Sequence, residues 1–272
     1  MNEFNIYEKW KGKEPPNMYS LGNYPIAYPG LTIYHGLSGS MKSYSSVIIA
    51  KELEYDVRYY LDFEGNNQNF KQHCIDNNVM YLNMSSFGSN EFDLFMSDIS
   101  HISKAKKVII ILDSFSRLYP IAVNETHKID EIFKKLKQYA DIYNISLLLI
   151  DHSRKTDYGI DIRGGDNKKK FADVVLKVKK ANIKDYETII QIEKSRLLNF
   201  KLDYEFKVST KIKDYKKEFL DIVKKKNIFN KRELFRSLSK KQQEKFNIFK
   251  DNFDELIKEL LWKDIRIKKW WL

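Results

Sequence analysis

The stretch that decides the fold is LTIYHGLSGSMKSYSSVIIAKEL, residues 31–53. Its pattern predicts a strand, a glycine-bearing turn and then a helix with an apolar face. The turn, residues 36–43, lies close to the phosphate-loop spacing G-x-x-x-x-G-K-[ST]. In such a loop, backbone N–H groups at a helix N-terminus bind phosphates of ATP, the lysine reaches the β- and γ-phosphates, and the hydroxyl holds Mg²⁺.

The candidate nucleotide-binding residues are this loop and the residue that follows it: Gly36, Leu37, Ser38, Gly39, Ser40, Met41, Lys42, Ser43 and Tyr44. Met41 departs from the motif, because it stands where the pattern has glycine before the lysine. The backbone passes close to phosphate at this point, so we expect the Met41 side chain to point away from the nucleotide. The alternative interpretation is a turn rich in serine and glycine before an amphipathic helix.

Length and composition limit the class of protein. The chain has 272 residues, of which 43% are apolar, enough for one large domain with a small appendage. Cys74 is the only cysteine, which excludes an internal disulfide and a cysteine-based zinc site. No run of 18 apolar residues and no signal-peptide pattern occur, so we expect a cytoplasmic protein without a membrane partner.

The positive charge is concentrated near the C-terminus. Residues 211–272 hold 19 Lys and Arg against 10 Asp and Glu, whereas the rest of the chain is nearly balanced. Such asymmetry predicts a nucleic acid or another acidic partner for this segment. The alternative is a solvated surface encoded by a genome that favours lysine.

Strands and helices alternate through the first two hundred residues. Residues 1–30 carry four of the five prolines among aromatic side chains, which predicts an arm lying on a surface, either its own domain or a neighbouring subunit. The elements predicted next are strands at 57–61, 79–82, 107–112 and 145–150, and helices at 68–78, 91–102 and 125–143. This alternation predicts an α/β fold with a mostly parallel sheet.

Polar side chains with chemical potential follow these strands. Glu64 comes after the second strand, Asp113 ends the fourth, and His152 follows the next. Ligands of parallel sheets bind at the carboxyl ends of the strands, so we expect these side chains to meet Lys42 and Ser43 there. Asp113 suits a metal-holding acid, Glu64 a group that polarises water, and His152 a sensor of the γ-phosphate. Taken singly, each has an alternative as a turn residue, a helix cap or a strand-end histidine.

The last third of the chain is less regular. Residues 156–171 have the composition of a loop, and strands are predicted at 171–178 and 187–193. After residue 210 the pattern predicts helices at 214–226, 231–238 and 251–262. We therefore divide the chain into an N-terminal arm (1–30), an α/β domain (31–210) and a basic helical domain (211–272). The last is either a small winged-helix appendage or a plain helical cap.

These pieces together resemble the RecA-fold ATPases, and among them the hexameric replicative helicases of the DnaB and plasmid RepA type. The resemblance covers roughly residues 28–200. Its matching segments are GLSGSMKS, YYLDFEG, VIIILDSFSRL, LLLIDHSRK, the RGG loop that begins at Arg163, and IEKSR. Met41 departs from the family pattern, and so does the segment after Arg196, which lacks the glycine usual in the DnaB element.

The resemblance implies roles for individual residues. Glu64 would be the catalytic glutamate, Asp113 the Walker-B acid that holds Mg²⁺ with Ser43, and His152 the residue after the fourth core strand. Lys194 and Arg196 would reach the nucleotide of the neighbouring subunit. Loops that face the centre of the ring grip single-stranded DNA in this family, a role that would fall here to Arg163, Lys168, Lys169 and Lys170. The alternative for this loop is a flexible, solvated segment.

The sequence thus predicts an ATP- and Mg²⁺-dependent DNA helicase or translocase that assembles as a hexamer. It would act on single-stranded DNA in the replication of a plasmid, phage or small replicon, together with other replication proteins. One alternative is a RecA-like ATPase that loads, remodels or recombines DNA without unwinding it. Another is a DNA-binding replication or partition protein whose ATP site only switches assembly.

Overall fold

The computed structural model describes residues 18–66, 68–120, 126–156, 159–162, 166–182, 187–209, 221–223, 225–226, 230–239 and 242. The first half of the predicted arm, the RGG loop with Arg163, and most of the predicted C-terminal helices lie outside these residues.

The described elements follow one another in α/β order. The strands are β1 (Gly30–Gly36), β2 (Val57–Asp62), β3 (Met80–Asn83), β4 (Val108–Asp113), β5 (Ser146–Thr156), β6 (Gly159–Ile162), β7 (Val174–Asn182), β8 (Glu187–Ser195) and β9 (Glu205–Ser209). The helices are α1 (Lys42–Glu52), α2 (Gln68–Asp76), α3 (Ser89–Ile102), α4 (Phe115–Leu118), α5 (Thr126–Tyr143), α6 (Asp166–Phe171) and α7 (Lys231–Ser237).

The sheet has the strand order β3-β2-β4-β5-β1-β7-β8-β9. The strands from β3 to β7 pair in parallel, whereas β7, β8 and β9 pair antiparallel. β6 pairs antiparallel with the far end of β5. The prediction of a mostly parallel α/β sheet is therefore confirmed.

Two apolar layers enclose the sheet. Alternate residues of β4 point to opposite faces, with Ile110 in the layer beneath α3 and α5 and Ile111 in the layer beneath α1 and α2. β4 is buried along its whole length, which explains its uninterrupted apolar sequence. Cys74 is buried on α2 as a free thiol.

The described part of the arm packs on its own domain. Tyr19 pairs with Tyr28 as an isolated antiparallel bridge, and their rings meet edge to face at 5.5 Å between centroids. The Tyr24 ring lies 5.4 Å from that of Phe206 on β9, and its hydroxyl donates to Glu52 at 2.9 Å. Of the two packing partners considered for the arm, residues 18–29 use their own domain.

Residues 156–171 differ from the predicted loop. β5 continues to Thr156 and forms a hairpin with β6, in which Ser153 pairs with Ile162. The short helix α6 follows. Polar strand residues in a hairpin are held by backbone pairing rather than by an apolar face, so no hydrophobic periodicity marks them. The five-residue strand β9 was also not predicted.

The chain divides into two compact units, residues 1–212 and 213–272. In the second unit, α7 matches the helix predicted at 231–238, and its first turn is capped by the Asn230 side chain, which accepts from the Glu233 amide at 3.1 Å. Within the described ranges, no helix has both the length and the apolarity that a membrane span requires.

Candidate nucleotide-binding site

The phosphate loop connects β1 to α1, as the sequence predicts. Two of its glycines are required by geometry. A Cβ atom at Gly36 would lie 2.9 Å from both the Ser40 Oγ and the Val178 Cβ, so no side chain fits there. Gly39 has φ +74°, a left-handed conformation that side chains disfavour. The loop therefore depends on glycine at both positions to make its tight turn.

Met41 occupies the N-cap of α1 with φ 62° and ψ 21°. This is the left-handed region, which costs a residue with a Cβ atom roughly 1–2 kcal/mol. No side-chain hydrogen bond caps the helix at this position. The motif glycine that Met41 replaces would adopt this conformation without strain.

We expect Met41→Gly to raise the free energy of unfolding by about 1 kcal/mol, because relief of the left-handed strain exceeds the extra entropy of glycine in the unfolded chain. Urea denaturation measures the difference. Ser38→Gly is the matched control, since Ser38 is in the same loop without a positive φ and should lose about 0.5 kcal/mol instead. A Met41→Gly protein less stable than the parent contradicts the strain argument.

Lys42 begins α1 and is buried within the loop. Its Nζ donates to the carbonyl oxygens of Gly36 and Leu37, each at 2.9 Å. Burial lowers the pKa of Lys42, and the carboxylates of Asp113, Glu64 and Asp151 oppose this effect. The ammonium is thus held in the middle of the turn, next to the acids of the site.

Asp113, at the end of β4, is buried and meets Ser43. The Ser43 Oγ donates to the Asp113 carboxylate at 2.6 Å, and the buried Tyr60 hydroxyl donates to the same oxygen. Burial raises the pKa of Asp113. A serine hydroxyl and a carboxylate fit Mg²⁺, which prefers oxygen ligands and completes its shell with water and substrate phosphates. Within the described residues, no three His, Cys, Asp or Glu side chains would hold a metal by themselves.

Glu64 lies in the turn after β2, facing the same space. Its Oε1 accepts from the His152 Nε2 at 2.7 Å and from the Ser114 Oγ at 2.6 Å. The hydrogen bond from His152 is the largest cause that lowers the pKa of Glu64 to about 2, against the opposing effect of burial. Glu64 is therefore a carboxylate at neutral pH, and its direction is fixed by two donors.

One cavity of about 350 Å³ joins these groups at the carboxyl edge of the sheet. It is lined by Ser38, Gly39, Ser40, Met41, Lys42, Ser43, Tyr44, Glu64, Asn66, Asp113 and His152. This volume lies within the usual range for small-molecule sites. The three strand-end side chains and the loop thus share one space, and Asn66 is a lining residue that the sequence did not indicate.

Residues 56–158 match the family model described as an AAA domain. This match agrees with the sheet order and with the geometry of the loop. The chain has a RecA-like P-loop ATPase fold. Two similar solved structures are the ATPase domain of a helicase and the RadB recombinase. Each is 14% identical with a TM-score of 0.49, and the alignments cover 62% and 67% of this chain and 78% and 87% of those chains, respectively. No curated protein sequence matches.

Lys194 and Arg196 lie at the opposite edge of the ATPase sheet from the phosphate loop. Ser195 pairs with Val174, which pairs with Thr32, four positions before the end of β1. At about 3.3 Å per residue, this register separates them from the loop by roughly 13 Å along the strand. These two side chains are therefore not brought together with the other predicted site residues of the same subunit.

Both cations have contacts within their own subunit. The Lys194 Nζ donates to the carbonyl oxygens of Lys169 at 2.6 Å and Ala172 at 2.7 Å, at the C-terminus of α6. The Arg196 Nη1 pairs with the buried Asp173 carboxylate at 3.0 Å. Arg196 is still nearly half exposed, with 45% of its side chain accessible. Any role at a neighbouring nucleotide requires these contacts to be exchanged.

The lysines predicted to grip DNA differ from one another. Lys168 is fully buried, pairs with Asp151 at 2.5 Å and lies over the Phe115 ring, so its prediction as a DNA contact is corrected to a structural ion pair. Lys169 is half-buried, 3.3 Å from Glu193. Lys170 is exposed and lies beside the Phe171 ring. Arg163 is outside the described residues.

Sequence reasoning missed the side chains that support the site from behind. Tyr60 contacts Asp113, Ser114 contacts Glu64, and Asp62 binds the turn that carries Glu64. The segment YYLDFEG contained the available signal, because alternate residues of a strand point to one face. Which face meets which neighbour depends on the sheet order, and no short-range pattern encodes that order.

Proposed function

We propose that this protein is an ATP-dependent DNA translocase or helicase that acts in the replication of a plasmid, phage or small replicon. In this proposal it hydrolyses ATP with Mg²⁺ at the subunit interfaces of a ring, which we propose to be a hexamer. The observation that carries the proposal is the cavity in which Lys42, Ser43, Asp113, Glu64 and His152 converge. Phosphoryl transfer needs this combination of phosphate cradle, metal ligands and a group that orients water.

In the proposed reaction, Lys42 and the loop amides bind the β- and γ-phosphates, and Ser43 and Asp113 hold Mg²⁺. The metal would neutralise charge on the phosphate oxygens. Glu64 orients the attacking water. A carboxylate with a pKa of about 2 is a weak base. When His152 donates to the γ-phosphate instead, Glu64 loses the bond that contributes most to its low pKa and becomes a stronger base.

The position of Lys194 and Arg196 supports a ring. These residues are at the amino edge of the parallel strands, away from their own phosphate loop. They can therefore serve only the nucleotide of another subunit. A head-to-tail contact, in which the amino edge of one subunit meets the carboxyl edge of the next, repeats around a closed ring.

Two measurements test this function against its alternatives. We expect single-stranded DNA to stimulate ATP hydrolysis and a forked duplex to be unwound, and we expect the particle mass to correspond to a ring in the presence of ATP and DNA. A stable monomer under all these conditions contradicts the ring. DNA-stimulated hydrolysis without strand separation favours a loader or recombinase, and slow, unstimulated hydrolysis favours an assembly switch.

The basic C-terminal segment is the proposed second contact with nucleic acid. Truncation after residue 210 removes a net charge of +9 and leaves every residue of the cavity. We expect DNA affinity to fall and its dependence on salt to become shallower, because fewer counterions are released on binding. Fluorescence anisotropy with labelled single-stranded DNA, from about 50 to about 200 mM salt, measures both quantities.

Basal ATP hydrolysis is the control for this truncation and should remain at the parent level. A truncated protein with unchanged DNA affinity and unchanged salt dependence would assign the segment to protein docking or to structure instead.

A further inference from the structure

Asp62, the last residue of β2, is fully buried and accepts five hydrogen bonds. Its carboxylate accepts from the backbone amides of Glu64 at 2.9 Å, Gly65 at 2.9 Å and Asn66 at 2.6 Å. It also accepts from the Asn66 side-chain amide at 3.0 Å and from the Tyr81 hydroxyl at 2.5 Å. Three successive amides therefore converge on one side chain, and the turn that contains Glu64 is closed around it.

The base of this turn is fixed to the sheet on both sides. The Phe63 amide donates to the Asp113 carbonyl oxygen at 2.6 Å, towards β4. The Met84 amide donates to the Asp62 carbonyl oxygen at 2.7 Å, towards β3. Backbone pairing thus sets where Asp62 stands, and the Asp62 carboxylate sets where the next four residues go.

The Glu64 side chain completes the arrangement. From the turn it reaches His152 at 2.7 Å and Ser114 at 2.6 Å, so its carboxylate has one defined place at the edge of the cavity. Asp62 itself does not line the cavity. Its only route to the proposed reaction is through the backbone of Glu64.

We propose that Asp62 is a positioning residue that holds the Glu64 carboxylate in place for the attacking water, and that Tyr81 holds Asp62. This inference rests on the proposed ATPase function. A misplacement of about 1 Å in a catalytic group can cost about 10²-fold in rate, so a turn that relaxes is expected to reduce turnover more than nucleotide binding.

Asp62→Asn is the main test, because it keeps the size of the side chain. The asparagine oxygen can still accept from two amides, but its NH₂ group then faces the Asn66 N–H, donor against donor. We expect kcat to fall by about 10- to 100-fold. Affinity for a fluorescent ATP analogue should remain within about twofold, since the phosphate loop is untouched.

The pKa of Glu64, followed by NMR of the labelled carboxyl carbon, is a readout that a merely structural role would not move. In the parent, we expect this pKa near 2. If the turn relaxes, Glu64 separates from His152 and Ser114, and its pKa rises towards the ordinary value of 4.5. A drop in kcat together with this rise is the result that supports positioning.

Two single-oxygen variants accompany the test. Tyr81→Phe removes one donor to Asp62 and should change kcat and the Glu64 pKa in the same direction, by less than Asp62→Asn does. Tyr55→Phe is the matched control. Tyr55 is also a buried tyrosine, and its hydroxyl meets the Ser146 Oγ at 2.6 Å, at the opposite end of the sheet. Both readouts should stay at the parent values in Tyr55→Phe.

The possible outcomes are separable. Parent-level kcat and an unchanged Glu64 pKa in either folded Asp62→Asn or, if that variant unfolds, Tyr81→Phe overturn the inference. An equal loss of kcat and nucleotide affinity also overturns it, because that pattern indicates general damage to the site. If the parent has no ATP hydrolysis that Lys42→Ala removes, the proposed function fails, and the pKa of Glu64 still decides whether Asp62 holds the turn.

Discussion

Glu64→Gln should bind ATP with the parent affinity and lose hydrolysis by about 10²- to 10⁴-fold, the usual contribution of a general base. The substitution keeps the shape of the side chain. The amide oxygen can still accept from Ser114 and His152, the two donors that hold Glu64 at 2.6 and 2.7 Å. It removes only the charge and the basicity that polarise water. Steady-state hydrolysis together with equilibrium binding of a fluorescent ATP analogue separates these effects.

Lys42→Ala should fail differently. Lys42 is the only lysine or arginine among the described residues that line the cavity, so the variant loses the charge that meets the β- and γ-phosphates. We expect both nucleotide affinity and hydrolysis to fall. If Glu64→Gln hydrolyses ATP at the parent rate, the assignment of the catalytic carboxylate is wrong. If Lys42→Ala does so, the phosphate loop is not the site of the reaction.

Arg196→Ala should retain ATP binding and lose most hydrolysis, because a cation supplied by a neighbouring subunit stabilises charge on the transferred phosphoryl group. A GTPase-activating arginine finger is worth about 10³- to 10⁵-fold in rate. The alternative is that Arg196 only balances Asp173. This is testable, since Asp173 is also paired with Lys137 at 2.8 Å and accepts from the Leu31 amide, so the variant leaves it compensated.

Mixed assemblies sharpen this test. Subunits with Arg196→Ala keep Glu64, and subunits with Glu64→Gln keep Arg196. When the two share a ring, some interfaces combine an intact Glu64 with an intact Arg196 from next door. Partial recovery of hydrolysis in the mixture, absent from either variant alone, supports a shared site.

Lys201→Ala is the matched control, because it removes an exposed positive charge from the loop that follows Arg196. It should hydrolyse ATP at the parent rate. If labelled subunits exchange between assemblies and no activity returns in the mixture, action between subunits is contradicted, and the ring loses its main mechanistic support.

The sequence by itself determined the sheet and the edge where ATP is proposed to bind. β4 and β5 are predictable because strands buried on both faces must be apolar nearly throughout. Glu64, Asp113 and His152 could be grouped because parallel strands end at one edge of a sheet. Both inferences need only the order of elements and the chemistry of short segments.

Tertiary structure alone decided the fate of the charged residues. Lys168 looks like its exposed neighbour Lys170 in sequence, yet it is buried because Asp151, 17 positions earlier, meets it in the core. The opposite placement of Arg196 and the phosphate loop follows from the register between β7 and β8. Asp62 acquires its five donors only when β3 lies beside β2 and brings Tyr81 into contact. A charge is exposed, paired or buried according to partners that are distant in the chain, and local patterns carry no information about them.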